Sequence, residues 1–340
     1  MLETTQESSL VLLIIKEEEL FLIRYIVKRL FIAIPLLFVI SFLVFSLIHL
    51  APYDVIDSIT TPNMSQETIE ILRERYGLDQ PFLVQYWHWL TQILHGDFGY
   101  SLVNQQSIGS ELATRIPNTI RLVLPAYLTA LVLAIILGLL AGANKGKFLD
   151  HFIDGVASFG IAIPTFWFAM IVIYLFGYKL NLFPILGIHT VGKEDSLSDF
   201  FAHFWLPYLT LTTAFFPELT RYIRSSTMQQ LSQDYVTVQK AFQASKWEIF
   251  TRHISRNILI PIVTQIGLAL PMLVTGAIIT ETIFDWPGIG PYLMNATKGL
   301  DYPIIMAVML LSATLVILGN LLSDILYSVV DPRIRQKGGK

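Results

Sequence analysis

LFIAIPLLFVISFLVFSLIHL, residues 30–50, decides the class of fold. The run contains no Asp, Glu, Lys or Arg, and about 20 apolar residues, each rising 1.5 Å, carry a helix across the hydrocarbon core of a bilayer. Arg24, Lys28 and Arg29 precede it and no small-residue cleavage pattern accompanies it. The segment therefore reads as an uncleaved signal anchor that remains as a first membrane span. Residues 1–20, MLETTQESSLVLLIIKEEEL, are acidic, and their apolar run, 10–15, is too short for a signal-peptide core.

Five further windows of the same kind follow, near residues 119–143, 155–176, 206–222, 259–279 and 302–326. The expected fold is all-α, a polytopic membrane protein with six transmembrane helices. The fourth window is the weakest, because Pro207, Thr210, Thr212, Thr213, Pro217 and Glu218 dilute it. Composition agrees: the 340 residues are 54% hydrophobic and 14% charged, against about 45–50% and about 25% in an ordinary soluble domain. A net charge of -3 gives no basic surface for nucleic acid. The absence of cysteine excludes disulfides, thiolate metal sites and a Cys nucleophile.

Lys and Arg set the orientation. With the N-terminus inside, the inner segments hold Lys16, Arg24, Lys28, Arg29, Lys145, Lys147, Arg221, Arg224, Lys240, Lys246, Arg252, Arg256, Arg333, Arg335, Lys337 and Lys340, against seven basic residues outside. Both termini are predicted to be cytoplasmic, in a bacterial cytoplasmic membrane.

Two segments outside the spans are long enough to fold. In the outer one, 51–118, Ser65 is placed to cap a helix that ends at Gly77. A second helix follows Pro81, with Phe82, Tyr86, Trp89 and Ile93 on one stripe. This pair is expected over the outer mouth or against the bilayer interface. In the inner segment, 224–258, DYVTVQKAFQASKWEIFTRHISRN reads as two short helices around a turn. Tyr235, Val238, Ala241 and Phe242 share a face of the first, and Trp247, Phe250 and Ile254 a face of the second. Either these faces pack against the membrane helices or a cytoplasmic partner docks on them.

No catalytic constellation is present, and no phosphate-binding loop of the Gly-Lys-Ser/Thr type. The seven histidines show no paired helical spacing, so no metal site is expected, and no cofactor. His49, Asp154, Glu218, Glu281 and Asp324 lie in or beside spans, all toward the ends, where snorkelling or a neighbouring Arg lowers their cost. No carboxylate sits convincingly at midspan, which counts against an ion-coupled transporter. ETIFDWPGIGPYL, residues 281–293, leaves the fifth span. Trp286 suits the interface, while Pro287, Gly288, Gly290 and Pro291 force a tight, hydrogen-bond-poor turn, either a pore-mouth element or a simple reversal.

The order of motifs over residues 22–335 resembles the membrane-spanning permease subunit of the dipeptide, oligopeptide and nickel class of bacterial ABC importers. The motifs are IRYIVKRL, HLAP, YGLDQP, QYWHWL, GDFGYS, RIPNT, GIAIPTFW, RYIRSS, DYV, RHISRNILIP, ETIFDWPGIG, DYP, NLLSDILY and DPR. The resemblance implies a type I ABC importer permease fold over 22–335, between an N-terminal extension 1–21 and a tail 336–340. It also implies a second homologous permease subunit, two cytoplasmic ATPase subunits that hydrolyse ATP in place of this chain, and an extracytoplasmic substrate-binding protein. The transported ligand would be a peptide or a nickel-type chelate.

Under that resemblance the 234–261 loop couples to an ATPase, with Asp234, Tyr235, Val238, Ala241, Phe242, Gln243 and Trp247 as contacts. Glu281, Trp286, Pro287, Gly288 and Gly290 form the outer-mouth turn. Tyr76, Tyr86 and Trp89 are candidate contacts for the binding protein. One departure stands out: Gln243 occupies a position where the family usually has glycine. If the turn needs a positive φ there, glutamine costs about 1–2 kcal/mol relative to glycine. The rival reading is a secondary transporter or channel that works without ATP.

Overall fold

The computed structural model describes residues 27, 29, 31–50, 64–75, 77–245, 248–269 and 277–330. Tyr76, Trp247 and residues 270–276 of the expected fifth span lie outside them, as do the segments 1–21 and 336–340. Among the described residues every regular element is a helix. α1 (Phe31–His49) is the first span. α2 (Gln66–Arg75) and α3 (Phe82–Leu94) form the expected helical pair of the outer segment, and the Ser65 hydroxyl accepts the Thr68 N–H as the cap predicted for α2.

α4 (Ile108–Ala143) and α7 (Leu197–Leu231) are the two longest helices, 36 and 35 residues, and they pack along each other. Close approach comes from small residues spaced four apart on α4. A Cβ on Gly142 would lie 2.5 Å from the Thr227 Cβ, and one on Gly138 would lie 2.8 Å from the Ile223 Cβ. In a bilayer, where lipid is as apolar as a side chain, close backbone packing of this kind is a main source of helix association.

The expected third span is not one helix. α5 (Phe148–Ala162) and α6 (Thr165–Val172, continuing as a π-helical stretch Ile173–Lys179) meet at a 94° bend. Ile163 has extended backbone (φ -85°, ψ 119°), the conformation imposed on a residue that precedes proline, here Pro164. Among the described residues three helices, α1, α4 and the last, α12 (Tyr302–Val330), are long and apolar enough to cross a membrane, and the bent pair counts as a fourth when taken as one broken span. α7 has the length but is diluted by the Pro, Thr and Glu residues noted above. α9 (Ser255–Ala269) reaches the edge of the described residues.

Between α7 and α9 stand α8 (Asp234–Ala241) and a π-helical stretch, Ile249–Ile254. α10 (Ile278–Ile283) and α11 (Ile289–Lys298) lead into α12. One apolar core joins Ala130, Leu131 and Ala134 of α4 to Leu219 and Ile223 of α7, Val236 of α8 and Ile258 of α9. A second joins Ile108 and Leu112 of α4 to Tyr292 and Ala296 of α11 and Ala307 of α12.

Candidate functional site

The inner segment folds as two short helical pieces around a turn. Val236 is fully buried in the α4–α7–α9 core, and the half-buried Tyr235 donates its hydroxyl to Gln230 Oε1 at 3.1 Å. These two residues fix the rotation of α8. The rotation turns Val238, Ala241 and Phe242 outward, with Phe242 79% exposed. An apolar i, i+3, i+4 patch thus stands free on a helix tied to the bundle by its opposite side. The sequence stripe joined Tyr235 to this patch and missed Val236, because period alone does not say which of two apolar stripes faces the core. Asp234 sits in the first turn and Lys240 in the last, each favourable to the helix dipole. Trp247 falls outside the described residues.

The turn after α8 explains the departure at residue 243. Gln243 has φ +60°, its N–H donates to Lys240 O at 3.0 Å, and the Ala244 N–H donates to Gln239 O at 3.1 Å. This is the paired bonding of a helix ending on a left-handed residue, the place glycine usually takes. The left-handed backbone costs a non-glycine residue about 1–2 kcal/mol, and glycine gives back part of that gain through its freer unfolded chain. Gln243→Gly is therefore expected to stabilise the chain by about 0.5–1 kcal/mol, with Gln243→Ala giving no gain. Thermal unfolding in detergent reads the difference, and equal effects of Gly and Ala would show that the turn carries no strain.

Beside this segment α7 is bound to α5. Arg224 donates Nε–H to Asp150 Oδ1 at 2.6 Å, and its Nη1 lies 3.5 Å from Asp154 Oδ1. The other Asp150 oxygen accepts the Gly146 N–H at 2.8 Å, in the turn between α4 and α5. The Asp150 side chain is 2% exposed. Asp154 was visible as a candidate in the sequence; Asp150, which is the buried partner, was not. Asp324 finds its arginine too, Arg29 at 3.0 Å.

At the other end of α4 the ETIFDWPGIG element forms a knot rather than a hydrogen-bond-poor reversal. Trp286 does not lie at an interface. It is fully buried, its ring inclined at 60° to those of Phe200 and Phe204 of α7 (centroids 5.9 and 6.4 Å), and its Nε1–H donates to Asn118 O at 2.9 Å. The Asn118 amide donates to Pro287 O at 3.1 Å, and the Thr119 hydroxyl accepts the Ile289 N–H at 2.9 Å. RIPNT and ETIFDWPGIG, far apart in sequence, are thus two halves of one joint. Side chains of α4 thus meet Pro287 O and the Ile289 N–H, two backbone groups of the turn.

Glu281 also differs from expectation. It is fully buried in the knot, and no arginine or lysine pairs with it among the described residues. Its Oε2 accepts the Gly290 N–H at 2.7 Å, while Oε1 has no hydrogen-bond partner there. Gly288 is required sterically, since a Cβ would collide with the Glu281 carboxylate and the Thr119 hydroxyl.

Further contacts cross-link the neighbouring loops. The Asp301 carboxylate accepts the Ser101 hydroxyl and the Leu102 N–H, joining GDFGYS to DYP. Gly187 N–H donates to Phe284 O at 2.9 Å. Asp199, near the start of α7, accepts the Thr190 N–H and hydroxyl, each at 2.7 Å, with His203 Nδ1 at 3.5 Å and His189 Nδ1 at 3.7 Å. The Thr190 backbone bond is the first cause that holds the Asp199 carboxyl below the usual carboxylate range, and the Thr190 hydroxyl and His203 act in the same direction.

The candidate contacts for a binding protein need revision. Tyr86 is buried against α1, 2% exposed, with its hydroxyl 2.9 Å from Ser41 Oγ. Trp89 is half-buried against Phe45, at 5.5 Å between ring centroids. Both lie on the apolar stripe read from the sequence, and that stripe is covered by α1. Tyr76 is outside the described residues.

Two family descriptions match the chain. Residues 134–336 match the binding-protein-dependent transport system inner membrane component, and residues 22–123 match the N-terminal part of the membrane component of such systems. Among curated proteins, the chain is 39% identical over 311 residues to the oligopeptide transport system permease protein AppB of Bacillus subtilis (strain 168), covering 91% of this chain and 98% of the relative. A putative peptide permease of Brucella suis is 36% identical over 317 residues, 92% and 99% of the two chains. The glutathione transport system permease protein GsiC of Escherichia coli (strain K12) is 34% identical over 316 residues, 93% and 100%.

Proposed function

The chain belongs to the family of inner membrane components of binding-protein-dependent transport systems, and from that premise we propose that it forms half of the membrane path of an ATP-driven importer of peptides. The other half is a second homologous permease. Two ATPases act from the cytoplasm, and a binding protein delivers the ligand on the far side. The names of the relatives, oligopeptide, peptide and glutathione permeases, favour a peptide-class ligand over a nickel chelate. Both termini are cytoplasmic in this reading, with 51–118 outside, 224–258 inside and the 22–335 domain spanning the membrane.

The observation that carries the proposal is the free apolar patch on α8. Val238, Ala241 and Phe242 are exposed on a helix that Val236 anchors into the core shared by α4, α7 and α9. A partner that grips this patch moves the helices behind it. Gln243 extends the contact, and Asp234 marks the start of the docking helix. On the opposite side, the knot of Glu281, Trp286, Pro287, Gly288 and Gly290 closes the outer mouth of the path.

The test is affinity purification of the tagged chain from its native membrane in mild detergent, followed by mass spectrometry. Two ATPases and a second six-span protein are expected with the parent chain. Phe242→Ala should lose the ATPases and retain the second permease, because burying Phe242 at an interface contributes about 2–3 kcal/mol, while its exposure leaves the fold indifferent to truncation. Equal recovery of ATPases with both chains would remove Phe242 from the contact. Recovery of the chain alone, from a preparation that keeps another ABC complex intact, would favour a transporter that works without ATP.

A further inference from the structure

α2 and α3 are neighbours in the chain and opposite in chemistry. α2 carries Glu67, Glu70, Arg73, Glu74 and Arg75, and its acidic side forms a polar surface with Asp79. α3, FLVQYWHWLTQIL, carries no Asp, Glu, Lys or Arg. Its polar stripe, Gln85, His88 and Gln92, is uncharged and narrow, and apolar residues of the helix stand on both flanks of it. Its inner side, Phe82, Tyr86 and Trp89, packs on Phe42 and Phe45 of α1 and Met306 of α12. Its outer side leaves Leu83 66% and Trp87 57% exposed.

Between that outer side and α1 runs an open groove of about 470 Å³, lined by Phe38, Phe42, Leu83, Tyr86 and Trp87. The Tyr86 hydroxyl, the polar tip in this lining, is already engaged by Ser41 Oγ at 2.9 Å. The groove therefore offers a hydrophilic ligand little besides the Trp87 indole N–H at its border. Ser41 lies near the middle of the Phe31–His49 span, so α3 meets α1 at membrane depth. The α1 wall of the groove continues into the exposed Ile34, Leu43 and Leu47 of the same span.

We propose that α3 is embedded in the leaflet on its own side of the bilayer and that this groove seats a phospholipid acyl chain. The water boundary then passes between α2 and α3, at residues 79–81. The groove is apolar and continuous with a lipid-facing helix, and its Trp87 wall stands against Phe38 near the middle of that span. The helix acts as a lipid-anchored brace for α1, a role distinct from a docking platform for the binding protein.

The chain has no cysteine, so single-cysteine spin labels can be placed without background at Leu83→Cys, Trp87→Cys and Glu70→Cys. The labelled chain is assembled in its complex and reconstituted in phosphatidylglycerol–phosphatidylethanolamine vesicles. At 83 and 87, collisions with oxygen should exceed those with a water-soluble nickel chelate, and the order should reverse at 70. Dominance of the nickel chelate at 83 and 87 would place the groove in water and overturn the proposal. Shielding from both reagents would mean that protein covers the groove, which overturns it equally. Leu83→Trp, which fills the groove, should lose a bound phospholipid that the parent chain retains in native mass spectrometry; identical lipid retention would reject the acyl-chain seat.

Discussion

Arg224→Met is expected to destabilise the chain by about 3–5 kcal/mol, the cost of stranding a buried carboxylate that has lost its cationic partner. Asp150 would keep only the Gly146 N–H, and its side chain is 2% exposed, so water cannot replace the guanidinium. The pair itself need not stabilise the fold relative to an apolar pair of similar volume, because both charges lose hydration on burial. The double replacement Asp150→Leu with Arg224→Met should therefore recover most of the loss. Arg224→Lys should fall between, since one ammonium cannot reproduce the fork that reaches both Asp150 and Asp154. Asp154→Ala should change stability by less than about 1 kcal/mol, as its contact is long and its side chain 34% exposed. Unfolding in detergent, followed through tryptophan emission, measures all four. A single Arg224→Met variant as stable as the parent would show that the ion pair holds nothing together.

Trp286→Ala is the second large effect, about 3–5 kcal/mol for emptying a fully buried aromatic site. The ring is clasped by Phe200 and Phe204 of α7 and hydrogen-bonded to α4 through Asn118, so the cavity would open where the two longest helices meet the outer knot. Trp286→Phe keeps most of the packing and removes the Nε1–H donor, which costs Asn118 O the bond it accepts beyond the helix ladder, about 0.5–1.5 kcal/mol. The ordering parent, Phe, Ala is the expected result in both thermal stability and uptake of a radiolabelled peptide. An Ala variant no less stable than the Phe variant would contradict the packing seen around the ring.

Much of this architecture was legible in the sequence. The apolar windows located α1, the membrane-spanning part of α4 and most of α12, Ser65 and Pro81 located the starts of α2 and α3, and the unusual Gln243 pointed to a left-handed turn. Partners were not legible. Asp150 finds Arg224, and Asn118 finds Trp286, across separations that no periodicity encodes. The 94° bend was signalled by Pro164 after Ile163, but a count of apolar residues passes over a proline.

Burial was the hardest property to read, for a reason specific to membranes. In water, apolar character separates inside from outside. In a bilayer both sides of a helix can be equally apolar. Phe159 is exposed and Phe284 buried, though both are phenylalanines within or beside a span. Tyr86 and Trp89 show the consequence: candidates for contact with a binding protein in the sequence, they lie in the seam with α1.

The close contact of α4 with α7 has a mechanical corollary. Packed along each other and closest at Gly138 and Gly142, the two helices form one rod, with α4 about 54 Å long from 36 residues at 1.5 Å each. At one end the rod carries Val236 and the α8 handle; near the other, Asn118 and Phe204 grip Trp286. Rods of that length are levers: a tilt of about 5° at the handle displaces Asn118, about 38 Å from Ala143, by about 3 Å. That is the length of the hydrogen bonds joining α4 to Trp286, Pro287 and Ile289, so rocking at the α8 end is felt at the joint.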